Sequence, residues 1–115
     1  MTRTVFKLVD RASWQAAAPS GAFAGSAVDV RDGFIHFSTA EQVRETAARY
    51  FAGQSDLLLV AVATDPLGDA LKWEPSRGGA LFPHLYAPLP LDAVRWVADV
   101  GLDPTGSHVF PDLHR

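Results

Sequence analysis

The chain contains no cysteine. Disulfides, zinc–thiolate centres and thiol nucleophiles are therefore excluded. It has no basic run, and its 115 residues carry a formal charge of −3. That balance argues against a general nucleic-acid surface. No apolar run approaches the roughly 18 residues of a membrane-spanning helix. The longest, Leu57–Ala63, has the length of a strand. Residues 1–9 lack the apolar core of a signal peptide. A cytoplasmic protein with no membrane partner is the expectation. Three motifs are missing as well. Without G-x-S-x-G there is no sign of a serine-hydrolase elbow. Without a glycine-rich phosphate loop, any phosphate seat must be built another way. Without H-x-H or H-E-x-x-H, two histidines and a carboxylate are a weak case for a metal triad, and no metal is expected.

What is present reads as one domain over 1–115, long enough to enclose a core without staples. Thr4–Val9 is rich in β-formers and predicts a strand. Asp10 is placed to cap a short helix over Arg11–Ala18, which Pro19 stops. Residues 19–33 read as a long loop, with a brief extended piece around Ala27–Val30. Asp32-Gly33 is a turn, and Phe34–Phe37 a strand. Ser38-Thr39-Ala40-Glu41 has the S-x-x-E form of a capping box, with Thr39 to Gln42 as an overlapping option. A helix over Thr39–Phe51 follows, with Ala40, Val43, Ala47, Tyr50 and Phe51 as its apolar stripe. The unbroken apolar run within Asp56–Thr64 predicts a central strand covered on both faces. Shorter strands are expected at Ala70–Glu74, Leu81–Tyr86, Ala93–Val100 and His108–Phe110. Pro83 restricts the second of these to an edge or an irregular strand. The fold class is α+β: small mixed or antiparallel sheets with two helices gathered toward the N-terminal half.

Chemistry concentrates in two stretches of the same form, Phe34-Ile35-His36-Phe37-Ser38 and Phe82-Pro83-His84-Leu85-Tyr86. Alternation puts Phe34, His36 and Ser38 on one strand face and Ile35 and Phe37 on the other. His36 and His84 are the first candidates, and the expectation is that they face one cleft. Each has a plain structural account, a histidine bonded to a loop carbonyl or a polar edge strand. Ser38 and Thr39 are fully explained by helix capping, but a helix mouth also presents free N–H groups that suit a phosphate. Glu74 ends a strand next to Trp73 and enters a loop with Arg77 and two glycines. It could act as a general base or stabilise a cationic transition state. Its plain account is a salt bridge to Lys72 or Arg77.

Together, Gly33-Phe34-Ile35-His36-Phe37-Ser38-Thr39, Gln42-Val43, Trp73-Glu74 and Phe82-Pro83-His84-Leu85-Tyr86 closely resemble the bacterial family of domain of unknown function 952. The likeness runs from the opening strand to Phe110. It implies a distant similarity to the ADP-ribosyltransferase fold, in particular its RNA 2′-phosphotransferase branch. Members often carry a histidine in the first strand, where this chain has Lys7. The resemblance further implies a cleft between two small sheets that holds a small-molecule nucleotide, with NAD as substrate and an RNA end as the one nucleic-acid partner. In that chemistry the ribose–nicotinamide bond breaks through an oxocarbenium-like state. Carried onto this chain, His36 is matched by the motif and would hold ribose or phosphate; with His84 and with Glu74, read as the carboxylate from its own strand face and neighbours, it makes up the candidate catalytic set. Ser38 would hold ribose or phosphate, and Thr39 with the helix mouth would take a diphosphate. Trp73 or Tyr86 would stack on a base, and Gln42 and Arg77 complete the ligand-binding set.

Overall fold

The computed structural model describes residues 3–114, and of Arg77 the backbone alone. Strand β1 (Thr4–Asp10) leads into α1 (Arg11–Ala17), where the Asp10 side chain caps the helix by accepting from the Ser13 N–H. A short strand β2 (Ala22–Phe23), helix α2 (Ala27–Asp32) and strand β3 (Ile35–His36) follow. Then come α3 (Val43–Tyr50), β4 (Leu57–Ala63), β5 (Leu71–Pro75), β6 (Leu81–Leu85), β7 (Leu89–Pro90), β8 (Val94–Leu102) and β9 (His108–Val109). Three sheets form, in the orders β1-β4-β8-β9, β3-β6-β5 and β2-β7, and every pairing is antiparallel.

The apolar run becomes β4, paired on both sides and buried on both faces. On one face Leu57, Leu59 and Ala61 pack with Phe6 and Leu8 under Val43 and Ala47 of α3. On the other, Leu58, Val60 and Val62 join Val5 and Val9 against Ile35, Phe37 and Leu85 of the three-stranded sheet. The two sheets are tied where the chain leaves β3: Ser38 and Phe6 exchange both backbone hydrogen bonds at 2.8 Å. The two sheets thus curl antiparallel around a shared core.

Four expectations change. The stretch 19–33 is not a bare loop, because Ala27–Asp32 is helical and ends at Gly33, whose φ of 88° suits a helix stop. The described residues thus form three α-helices rather than two, besides short 3-10 turns. Helix α3 starts at Val43, not Thr39, since Ser38 is held in the strand bridge to Phe6 and cannot serve as its cap. Tyr50, placed in its apolar stripe, is exposed. Finally, β6 is a central strand despite Pro83. The Pro83 carbonyl accepts from the Phe37 N–H, so the missing N–H falls just past the end of β3, where the ladder needs no donor.

Candidate functional site

The three-stranded sheet has two unlike faces. Ile35, Leu85, Leu71 and Trp73 point into the core between the sheets. Alternation sends Phe34, His36, His84, Glu74 and Tyr86 to the opposite face. His36 and His84 are directly paired across β3 and β6, with ring centroids 5.6 Å apart. The expected cleft between the sheets is instead filled by core side chains, and the histidines lie on a shelf outside it, His84 buried and His36 partly exposed.

Each histidine is oriented by a carboxylate through Nδ1. His84 Nδ1 lies 2.8 Å from Glu74 Oε1, and the Tyr86 hydroxyl donates to the same oxygen at 2.7 Å. Those two bonds, Tyr86 first, hold the Glu74 carboxyl below its ordinary range, and the same contact raises the Tyr86 phenol. Among the described residues nothing hydrogen-bonds His84 Nε2. Phe34 lies over the His84 ring at 4.1 Å between centroids and touches His36 and Tyr86 as well. The His84 side chain is 7 % exposed, against 34 % for His36 and 39 % for Glu74.

His36 is set from below by a buried ion pair. Lys7 Nζ stands 3.0 Å from Asp29 Oδ2 and donates to the His36 carbonyl at 3.0 Å. Asp29 Oδ1 accepts from the His36 N–H at 3.1 Å and lies 2.6 Å from its Nδ1. The pair thus satisfies the edge of β3 that faces away from β6, doing what another strand would do. Burial works against the charge on Asp29. The bond to His36, the Lys7 ammonium and the Ser26 N–H outweigh it, and the carboxyl sits well below the usual range. Burial draws Lys7 below the usual lysine value, with Asp29 opposing.

Sequence reasoning missed Asp29 and saw Lys7 only as a departure. The signal was available: Ser26-x-x-Asp29 followed by Gly33 is a helix start and stop, and Asp29 Oδ2 does accept from the Ser26 N–H at 2.9 Å. Gly25 belongs to the same design. Its φ is +115°, and a Cβ there would come within 2.8 Å of the Asp29 Cβ. Gly25→Ala is expected to cost about 1–3 kcal/mol, measured by urea unfolding. A loss below experimental error would mean that the Asp29 loop tolerates rearrangement.

The site's residue pattern and fold carry it into a known family. The sequence pattern described as protein of unknown function (DUF952) matches residues 8–97. The chain belongs to the DUF952 family. Its fold resembles the crystal structure of protein CC0527 from Caulobacter crescentus, with a TM-score of 0.88 and 54% identity over 92% of this chain and 93% of that one. It also resembles the solution NMR structure of the same protein, with a TM-score of 0.81 and 55% identity over 90% of each chain. A search of curated proteins found no match.

Within this DUF952 chain, the predicted site residues divide. His36, His84, Glu74 and Tyr86 come together. Ser38, Thr39 and Gln42 do not open onto the shelf. Ser38 is buried, with Oγ 3.0 Å from Thr46 Oγ1. The Thr39 N–H, expected to meet a diphosphate, donates to Gln42 Oε1, and Gln42 Nε2 donates to the Leu81 carbonyl. These three residues tie the start of α3 to β6. Trp73 is on the core face, paired opposite Pro83, with the Arg3 guanidinium 4.4 Å above its ring. It stacks on nothing at the shelf. The Arg77 side chain lies outside the described residues. Among those residues no group of three or more histidine, aspartate or glutamate side chains is arranged to hold a metal, and no helix is long and apolar enough to cross a membrane. A pocket of about 310 Å³ adjoins the shelf, sharing Asp29, Phe34 and Tyr86 with it and closing against Ala24, Val30 and Pro88.

Proposed function

We propose that the outer face of β3-β6-β5 binds a nucleotide-like phosphorylated ligand, NAD or ADP-ribose, in an ADP-ribosyltransferase-like manner. The observation that carries this reading is the cross-strand pair His36–His84, each ring oriented through Nδ1 by its own carboxylate. With Nδ1–H given to Glu74, a neutral His84 ring keeps Nε2 as an acceptor for a ribose hydroxyl, and a protonated one donates there to a phosphate oxygen; among the described residues that nitrogen has no other partner. Glu74, partly exposed and held anionic, supplies the carboxylate that an oxocarbenium-like state needs. Tyr86 and Phe34 offer aromatic surface beside a pocket large enough for a base. Transfer or removal of an ADP-ribosyl or 2′-phosphate group is the reaction this arrangement suits, with an RNA end as one acceptable carrier.

A second reading, a binding module without turnover, is favoured by two observations. Lys7 stands where members often carry a histidine and is spent on Asp29. The hydroxyls of Ser38 and Thr39 are buried. Both readings make the same first prediction. NAD, ADP-ribose or a 2′-phosphorylated nucleotide, at about one hundred times its Kd, raises the melting temperature by roughly 5 °C or more. His84→Ala abolishes the shift. If none of the three ligands moves the wild-type transition, the nucleotide reading is wrong.

A further inference from the structure

The two carboxylates on His36 are not equivalent. Asp29, on Nδ1, is buried and held by Lys7 and the Ser26 N–H. Asp32, on Nε2, is the last residue of α2, and about a third of its side chain is exposed. Its Oδ2 lies 3.0 Å from His36 Nε2, and its Oδ1 accepts from Arg31 Nε at 3.0 Å. Both His36 ring nitrogens face carboxylates, so in its protonated form the ring donates at Nε2, and an imidazolium and a guanidinium then converge on the one carboxylate of Asp32. That is the donor set an oxyanion receptor presents to phosphate. The inner wall of this set is rigid, because the His36 ring, N–H and carbonyl are all anchored by the Asp29–Lys7 pair. The outer wall is an exposed ion pair of a kind that is weakly held.

We propose that Asp32 occupies an oxyanion seat formed by His36 Nε2 and Arg31 Nε, and that a phosphate group enters by displacing it. The seat is on the His36 ring, whose centroid is 5.6 Å from that of His84 on β6. This deepens the nucleotide reading by naming the atoms that take the phosphate, and it depends on that reading only for what the phosphate is attached to. Asp32 is then a specificity device. It keeps weak anions out and yields to a group that carries more charge and more acceptor oxygens.

The test is a titration of the full chain with inorganic phosphate and, separately, with ADP-ribose, followed by NMR of the backbone and of the histidine ring nitrogens. In the wild type, phosphate moves the His36 Nε2 resonance. Asp32→Ala removes the competing carboxylate and tightens phosphate about fivefold. Arg31→Gln weakens phosphate without changing the unfolding midpoint, so a merely structural role is separated. Unchanged or weaker phosphate binding in Asp32→Ala overturns the seat, as does phosphate binding that leaves His36 unmoved. Phosphate bound at His36 but no tighter binding of ADP-ribose leaves the seat standing and removes the nucleotide reading. ADP-ribose bound with His36 and Arg31 silent does the reverse.

Discussion

Lys7→Met is expected to lower the unfolding free energy by about 3–5 kcal/mol, the usual cost of stripping one partner from a buried ion pair. The physical reason is the neighbourhood of Asp29. Its carboxylate is 2 % exposed and would keep its charge with one cation gone. The His36 carbonyl would lose its donor at the same time. Asp29→Asn also destabilises, and the double variant costs less than the sum of the two, with a coupling of about 1–3 kcal/mol. The pH dependence has a definite sign. Asp29 has a folded pKa below its unfolded one, so its contribution is present above the ordinary carboxylate range and is lost as pH falls toward the folded value. Lys7, drawn down by burial, opposes folding while charged, and that penalty fades only as pH rises through its folded value. The wild type therefore weakens in acid, and Lys7→Met, which returns Asp29 toward its ordinary pKa, weakens with a shallower slope. Urea unfolding at a series of pH values measures both. A cost under about 1 kcal/mol would show that the pair does not anchor β3.

Glu74→Gln separates the transferase from the binding module. The amide keeps the shape of the carboxylate and can still accept from Tyr86 or His84, so ADP-ribose binds within about threefold of wild type. It cannot stabilise a developing positive charge. Release of nicotinamide from NAD is then expected to fall by about 10²–10³-fold, the scale of losing one electrostatic partner of a transition state. A Glu74→Gln chain that turns over NAD at the wild-type rate removes Glu74 from the chemistry. A wild-type chain that binds ADP-ribose and releases no nicotinamide assigns the shelf to binding alone.

Much of the scaffold was legible in one dimension. Leu57–Ala63 could only be a strand covered on both faces, because seven successive apolar side chains cannot alternate with water. Phe34 and His36 were bound to share a face, and the Asp10 cap was plain from residue type and position. Local patterns failed where a distant partner competed for the same groups. Ser38 and Glu41 match a capping box, yet the backbone of Ser38 is claimed by Phe6, so the helix begins later. Pro83 suggested an edge, yet its missing donor falls where β3 has already ended.

The sequence by itself determined the face on which His36 and His84 each sit, since strand alternation is a property of neighbours. Only the tertiary structure decided that the two rings are cross-strand partners, because pairing and register depend on how separate strands meet. It alone brought Asp29 and Lys7 beneath His36. Charges that far apart in the chain meet only when sheet closure buries them, and burial is what compels them to pair.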